Sequence, residues 1–428
     1  MLTLSVAAAT SEMALDDTSI ASGRTLEAPL RATAFMILHP QTPICIISCD
    51  VIALTRDVVD EIGAGVGETC GIPAENLLVT STHTHHAPTT LPIYLSPRNE
   101  EFTRRTIAAA IDAARKAKAK AAATATTGAQ VELLHGMGQE MTVGENSRWL
   151  TEEDRITWSG HDESVMVRPT GPHDPDLPVL AARDASGRLL GALFGHGTHN
   201  IGTLRMPQQV YSPGFFGLAA QELERQHDAP FLFAPGAFGS SHRRNSAVAA
   251  PEAMLRVVNA VSEALGEMRT ISPNPIASIK RPFTCRYRHF DEDAAAAEVS
   301  GWCRRWFDAD RAESLEQTYA NVRELMAPKM GRSFETQLHA IRLGDVAIMG
   351  IPGEMFARLG LRIRRRSPFR HTILVGLAND EIGYLPDREG YVLGGYQTWV
   401  CEHSKLEPGT GEAMVDAAIH LLNNIHGD

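Results

Sequence analysis

Short apolar runs of four to eight residues alternate along this chain with stretches whose apolar positions recur every three to four residues. That alternation predicts a sheet covered by helices. β-like runs are read at 32–39, 43–50 and 76–85, with an amphipathic helical pattern at 56–69 between the second and the third. An alanine-rich helical pattern follows at 100–123. Its basic residues Arg115, Lys116, Lys118 and Lys120 fall toward the end, where cations suit the negative end of a helix dipole, and they read as a solvated face.

Residues 137–180 are rich in Gly, Asn, Pro and charge and have little periodicity, so they read as a long loop lining a pocket. Beyond them the pattern gives a strand at 189–196, a helix at 215–226, a strand at 230–234 and a helix at 251–268. Residues 276–330 read as a strand and two helices, and 337–351 as a hairpin turning at Gly344 and Asp345. A helix at 355–366, a strand at 371–377, a Gly-rich loop to Gly395 and a helix at 411–424 complete the chain. No fixed-period repeat, low-complexity tract or Pro/Ser-rich linker interrupts it. The expectation is therefore one α/β domain over residues 1–428, a mixed β-sheet core flanked by helices.

Composition narrows the partners. The chain is 43% hydrophobic and 21% charged, which is ample apolar mass for a core. A net charge of -11 argues against a nucleic-acid or anionic membrane partner and leaves a small-molecule substrate as the expected one, with a homo-oligomer left open. No run approaches the roughly 18 to 20 apolar residues of a spanning helix, so no integral membrane segment is expected. Residues 1–10 lack a basic leading region and meet Glu12, Asp16 and Asp17 at once, so a cytoplasmic location is expected. The six cysteines show no C-x-x-C pair and read as reduced, buried thiols.

The chemistry gathers where apolar runs end. In Thr80-Ser81-Thr82-His83-Thr84-His85-His86, residues two apart on a strand share a face, so His83 and His85 are expected to project together. One imidazole would suit a metal and the other whatever the metal holds; both also suit ordinary hydrogen bonding. A second cluster, Gly195-His196-Gly197-Thr198-His199-Asn200, also follows an apolar strand, and ligands gather at strand ends in open α/β sheets. Catalytic zinc takes nitrogen and carboxylate ligands and keeps one position open, which directs attention to an acid. Glu354, in Ile351-Pro352-Gly353-Glu354, reads either as that acid or as a first-turn helix glutamate favoured by the dipole.

Four segments stand in the order and at roughly the spacing found in neutral ceramidases: Ser81-Thr82-His83-Thr84-His85, the His199 strand end, Pro352-Gly353-Glu354, and Gly376-Leu377-Ala378-Asn379 leading through Tyr384 and Arg388-Glu389-Gly390-Tyr391 to Gly395-Tyr396. The chain resembles the amino-terminal catalytic domain of that family over nearly its whole length. The resemblance implies a zinc hydrolase of the ceramidase-like type, with Zn2+ held by His83, His199, Glu354 and Tyr384. It implies substrate-contacting roles for His85, Tyr396 and Arg148, with His85 and Tyr396 as donors to an oxyanion.

Departures from the family accompany the matches. Where these ceramidases carry Gly-Asp-Val-Ser-Pro-Asn, this chain reads Gly239-Ser240-Ser241-His242-Arg243-Arg244, without the acid near the metal-bound water. His242, His196 or Asp50 would then take the proton, or the chemistry has changed; Asp50 is alternatively an orienter of a histidine ligand. The usual Asp-Ile-Thr-Pro opening is missing and no β-sandwich domain follows, which weakens the case for ceramide itself. The expected function is hydrolysis of an amide (N-acyl) or related bond by metal-activated water. An ester, lactone or glycosidic bond and a catalytically silent ligand-binding relative stand as alternatives. Gly63, Gly65 and Gly67 close a helical pattern and so make no dinucleotide loop, and no strand-turn-helix nucleophile elbow is present.

Overall fold

A computed structural model describes residues 4–126, 130–153, 155–158, 163–204, 210–243 and 248–427. Its main elements repeat one topology three times: three antiparallel strands, a helix, a fourth strand parallel to the third, and a second helix. The first unit runs Ser5–Glu12, Arg31–Leu38, Ile44–Cys49, helix Arg56–Cys70, Leu77–Ser81, helix Glu100–Thr126. The second runs Val131–Gln139, Asp176–Asp184, Leu189–His196, helix Gly214–His227, Phe231–Pro235, helix Ala250–Gly266, with Arg269–Ile271 added at its edge. The third runs Ile276–Arg286, Ser333–Leu343, Val346–Gly350, helix Ala357–Arg366, His371–Val375, helix Thr410–Gly427.

Alternation along each strand sends neighbours to opposite faces, and here both faces are apolar. Ile46, Leu193 and Ile348, one from each third strand, turn inward to a core shared by all three sheets. Their neighbours Ile47, Phe194 and Met349 turn outward onto the helices of their own unit: Ile47 joins Ala110 and Ala113, Phe194 joins Phe215 and Val257, and Met349 joins Leu359 and Val415. Each such side chain contributes about 1.5–3 kcal/mol of burial. The near-continuous apolar runs seen in the sequence follow from this double burial.

The third and fourth strands of the three units meet toward their C-terminal ends. Ser48 Oγ donates to the Phe233 carbonyl (2.6 Å), Thr80 Oγ1 donates to the Gly376 carbonyl (2.8 Å), and the Gly376 amide donates to the Pro235 carbonyl (2.7 Å). The loops leaving the three sheets are thereby brought to one place.

Several readings are corrected. The mixed sheet core and flanking helices are present, but the strands are divided among three principal sheets. Residues 5–12 form a strand whose small residues, Ala7 to Ala9, gave a weak apolar signal. Residues 137–180 are mostly not loop: they hold the end of one long strand, four short strands between Gly144 and Pro169, and the start of the strand Asp176–Asp184. Its short pieces are too brief for periodicity to register. The helix pair Glu292–Trp306 and Ala309–Met326 is an insertion between the first two strands of the third unit, packed on Trp399 and Cys401. All six cysteines are buried and free. Among the described residues, no helix is long and apolar enough to cross a membrane.

Candidate metal centre

The first two sheets each send a histidine to the meeting point, and the third sends two segments, one after Val346–Gly350 and one after His371–Val375. The strand Leu77–Ser81 ends earlier than its apolar run, so His83 and His85 lie on the turn beyond it, with His83 in the left-handed region at φ 57°. The two rings meet all the same, Nε2 to Nε2 at 3.2 Å, through turn geometry instead of a shared strand face. His199 leaves the second sheet. Glu354 does not open a helix: Glu354–Met355 is a short strand paired in parallel with Tyr384–Leu385, and the helix begins at Ala357.

Two glycines make room for this pairing. A Cβ on Gly239 would lie 2.1 Å from the Glu354 carbonyl oxygen. Gly383 has φ 93°, and a Cβ there would lie 2.5 Å from the His403 carbonyl, which accepts the Tyr384 amide at 2.7 Å.

The four residues separated in sequence converge. His199 Nε2 lies 3.0 Å from Glu354 Oε2 and 3.3 Å from the Tyr384 hydroxyl, while His83 Nε2 lies 3.6 Å from Glu354 Oε2. Phe238 packs against both imidazoles, 4.7 Å from each ring centre, while their own ring centres are 4.9 Å apart. His83, His199, Glu354 and Tyr384 are all buried.

Proton accounting defines the set. His83 Nδ1 is 2.7 Å from the Ile52 carbonyl, and His199 Nδ1 is 2.9 Å from the Ser241 carbonyl and 3.1 Å from that of Phe238. Carbonyls only accept, so each Nδ1 carries the proton and each Nε2 a lone pair. Two lone pairs and a carboxylate oxygen thus face one another, an arrangement that calls for a cation between them or a proton on Glu354. Metal-binding histidines are commonly oriented by such carbonyl partners. Among the described residues, the ligand nitrogens of His83, His85 and His199 also lie within 4.8 Å of one another, so His85 is a third nitrogen beside the pair.

The electrostatics agree. Burial pushes Glu354 up to about 8, against a lowering hydrogen bond from Tyr384. Burial lowers His199 to about 4, partly opposed by its carbonyl partners. Burial, then the neighbouring His199, hold His83 well below its usual range. His85 keeps a solvent-exposed edge but is otherwise walled in, and desolvation followed by His83 and His199 lowers it too. Tyr384 is raised well above the phenol range by burial, then by the charge of Glu354.

His242 stacks on His199 with ring centres 3.8 Å apart and planes 11° apart, and its Nδ1 lies 2.8 Å from Ser147 Oγ. Ser240 accepts the Ala357 amide on Oγ at 3.1 Å, at the first residue of the helix Ala357–Arg366. Asp50 and His196 are placed otherwise than expected. Asp50 accepts the Arg31 amide at 2.9 Å and orients neither histidine, whose Nδ1 atoms go to carbonyls. His196 Nε2 is taken by the Glu140 carbonyl at 2.9 Å.

Arg148 is no loop arginine reaching for substrate. Its guanidinium is buried, donates to Gln397 Oε1 (2.8 Å) and to the carbonyls of Gly390 (3.1 Å) and Gly394 (2.6 Å), and lies over Phe356. It clamps the loop that carries Tyr396. Tyr396 packs near Tyr384, with ring centres 6.2 Å apart, and its hydroxyl is 2.5 Å from that of Tyr94. Tyr94, His403 and Ser147 were not singled out by sequence reasoning. They sit in segments without periodicity, and only the closeness of His403 to the Gly395-Tyr396 stretch offered a signal.

No family model matches this chain, and no curated protein matches it. Solved structures do. The neutral ceramidase from Pseudomonas aeruginosa is similar over 99% of this chain and 75% of its own, with a TM-score of 0.69 and 17% identity. A structure described as ceramidase complexed with C2 gives a TM-score of 0.68 and 16% identity over 99% of this chain and 76% of that one. The chain has the fold of these ceramidases, as the motif resemblance implied.

Proposed function

We propose that this protein is a zinc-dependent hydrolase acting on an amide (N-acyl) bond of a small molecule, with His83, His199, Glu354 and Tyr384 as the metal ligands. The observation that carries the reading is the convergence of two imidazole lone pairs and one carboxylate, each imidazole fixed by a carbonyl at its other nitrogen. Nitrogen and carboxylate oxygen are the donor set of catalytic zinc, and the likeness of fold to ceramidases supports amide chemistry. Zinc bound there would lower the pKa of a coordinated water to about 7.

The residues of the chain divide the remaining work. Glu354 supplies the negative charge of the ligand set, and the carbonyls of Ile52 and Ser241 hold both imidazoles in the tautomer that leaves Nε2 free. His85, at the solvent side of His83, is placed to donate an N–H to the carbonyl oxygen of the substrate as negative charge grows on it. His242, held by Ser147 and stacked on His199, takes the role of the missing acid and accepts the proton released by the attacking water. Arg148 acts on substrate only through the loop it holds.

Because Ser240 Oγ is taken by the Ala357 amide and no acid stands in its place, an ester, lactone or glycosidic bond is the second reading. Elemental analysis of purified protein, followed by turnover of a panel of N-acyl amides, lactones and glycosides, tests both. About one zinc per chain and hydrolysis of an N-acyl compound are expected. A chain that stays metal-free after zinc addition ends both readings; zinc with activity confined to lactones or glycosides ends the first.

A further inference from the structure

A charged side chain taken even partly out of water ordinarily has an opposite charge beside it. Arg31 meets Glu224 at 2.6 Å, Arg323 meets Glu292 at 2.8 Å, and Arg364 meets Asp174 and Asp176 at 2.9 and 2.8 Å. Arg243 is half-buried and, among the described residues, is paired with no carboxylate. Burial is the one influence on its charge, and it lowers the pKa. Its Nε donates to the Ile201 carbonyl at 3.3 Å and its Nη1 to the Val248 carbonyl. Among the described residues that leaves one proton on Nη1 and both on Nη2, enough for the two oxygens of one carboxylate.

This cation borders the metal centre. His242, the residue before it, stacks on His199. The strand Ser241–Arg243 sends neighbours to opposite faces, so the guanidinium leaves on the other side, against Gly202, three residues after His199. A Cβ on Gly202 would lie 3.2 Å from Arg243 Nε and 3.6 Å from Nη2. The Gly202 amide donates to His86 Nε2 at 3.1 Å, so the cation and His86 share one backbone unit, and His85 is the next residue. Of the charges that act on His86, Glu27 accepts from Ser212 Oγ at 2.6 Å and Arg24 lies over the Tyr211 ring; neither is paired with Arg243.

We infer that Arg243 is a specificity residue that binds a carboxylate on the amine portion of the substrate, so that the amides cleaved are N-acyl amino acids. This rests on the hydrolase reading above and names its substrate class. The acyl portion of an N-acyl amide is the apolar one, which leaves the charge to the amine portion. A guanidinium fork matches the two oxygens of a carboxylate, and such a charge-assisted contact is roughly twice as strong as a neutral one. A neutral analogue leaves the cation unpaired and is rejected for that reason.

The test compares zinc-loaded wild type, Arg243→Gln and Arg243→Lys on N-octanoylglycine and N-octanoyl-β-alanine, each beside its neutral carboxamide. Differences in intrinsic reactivity enter every protein and cancel. The wild-type preference for acid over carboxamide, as a ratio of kcat/KM, is expected to fall about tenfold in Arg243→Gln for at least one pair. Arg243→Lys, which keeps the charge and loses the fork, is expected to fall between. Ratios preserved within twofold in Arg243→Gln for both pairs overturn the inference while the hydrolase reading stands. A second measurement needs no turnover: 4-oxoundecanoate and 5-oxododecanoate, in which a methylene replaces the amide nitrogen, are titrated calorimetrically beside their carboxamides. Wild type is expected to bind at least one keto acid about tenfold more tightly than its carboxamide, and Arg243→Gln to bind the two alike. If no N-acyl compound is hydrolysed but that difference appears and depends on Arg243, the amidase reading fails and the carboxylate site holds. Equal binding of acid and carboxamide by wild type, for both pairs, overturns the site whatever is hydrolysed.

Discussion

Glu354 Oε2 sits 3.0 Å from His199 Nε2 although neither atom has a proton to share when Glu354 is ionised. Charge state at this contact is therefore linked to occupancy. Without metal, Glu354 is raised from 4.5 to about 8, so the folded state holds a proton the unfolded state has lost between those values. Stability of the metal-free protein from this group is full below about 4.5 and falls as pH rises through 8. The Glu354→Gln variant is expected to lose that alkaline decline and most of its zinc. Thermal denaturation of metal-free protein from pH 5 to 9, with elemental analysis, checks both.

The acid limb has a different origin. Burial lowers His199, His135 and His403 to about 4, so between about 6.5 and 4 the unfolded chain binds protons that the folded chain does not. The sign is a loss of stability as pH falls, at about 1.4 kcal/mol per pH unit for each group. Denaturant titrations at pH 7, 6 and 5 should show a steepening decline, reduced in slope by His135→Gln, which lies in a different part of the molecule.

Replacing His242 by Phe keeps a flat ring on His199 and removes both nitrogens. If His242 handles the proton, zinc content is unchanged and kcat falls about 10²- to 10⁴-fold. Retained turnover in a zinc-replete His242→Phe protein would assign the proton elsewhere.

Gly239 permits the close approach of two backbones. In Gly239→Ala the new methyl meets the Glu354 carbonyl at 2.1 Å, a backbone atom that cannot swing aside. Destabilisation on the order of 3 kcal/mol is expected, with weakened zinc binding because Glu354 must shift. Chemical denaturation and zinc titration measure the two effects.

Arg148→Met should leave the Gly394 carbonyl without its donor and the Gly390 carbonyl with the Gly394 amide alone, at a cost of about 2 kcal/mol. The loss should be local. Hydrogen exchange is expected to quicken in residues 388–399 before anywhere near His83.

Much of this architecture was legible from the sequence because its strands are apolar on both faces and its helices carry regular stripes. Glu354 and Tyr384 were reachable only through motif order, since nothing in a dipeptide strand such as Glu354–Met355 announces itself by period. The strand at 5–12 escaped because alanines bury well without looking apolar in runs. Arg148 was misjudged because an isolated arginine between polar residues ordinarily faces water, and only tertiary structure supplies the three acceptors that let it be buried. His403 and Tyr94 take part through contacts across hundreds of residues, which no local pattern encodes.

The threefold topology sets where evolution or design can intervene. His83 comes from the first third of the chain, His199 from the second, and Glu354 with Tyr384 from the last, so an ion at their junction would act as a rivet through three plates. A polypeptide severed in the connection between two thirds would have to find its other piece before it could capture metal, and metal uptake would then report reassembly of the severed parts.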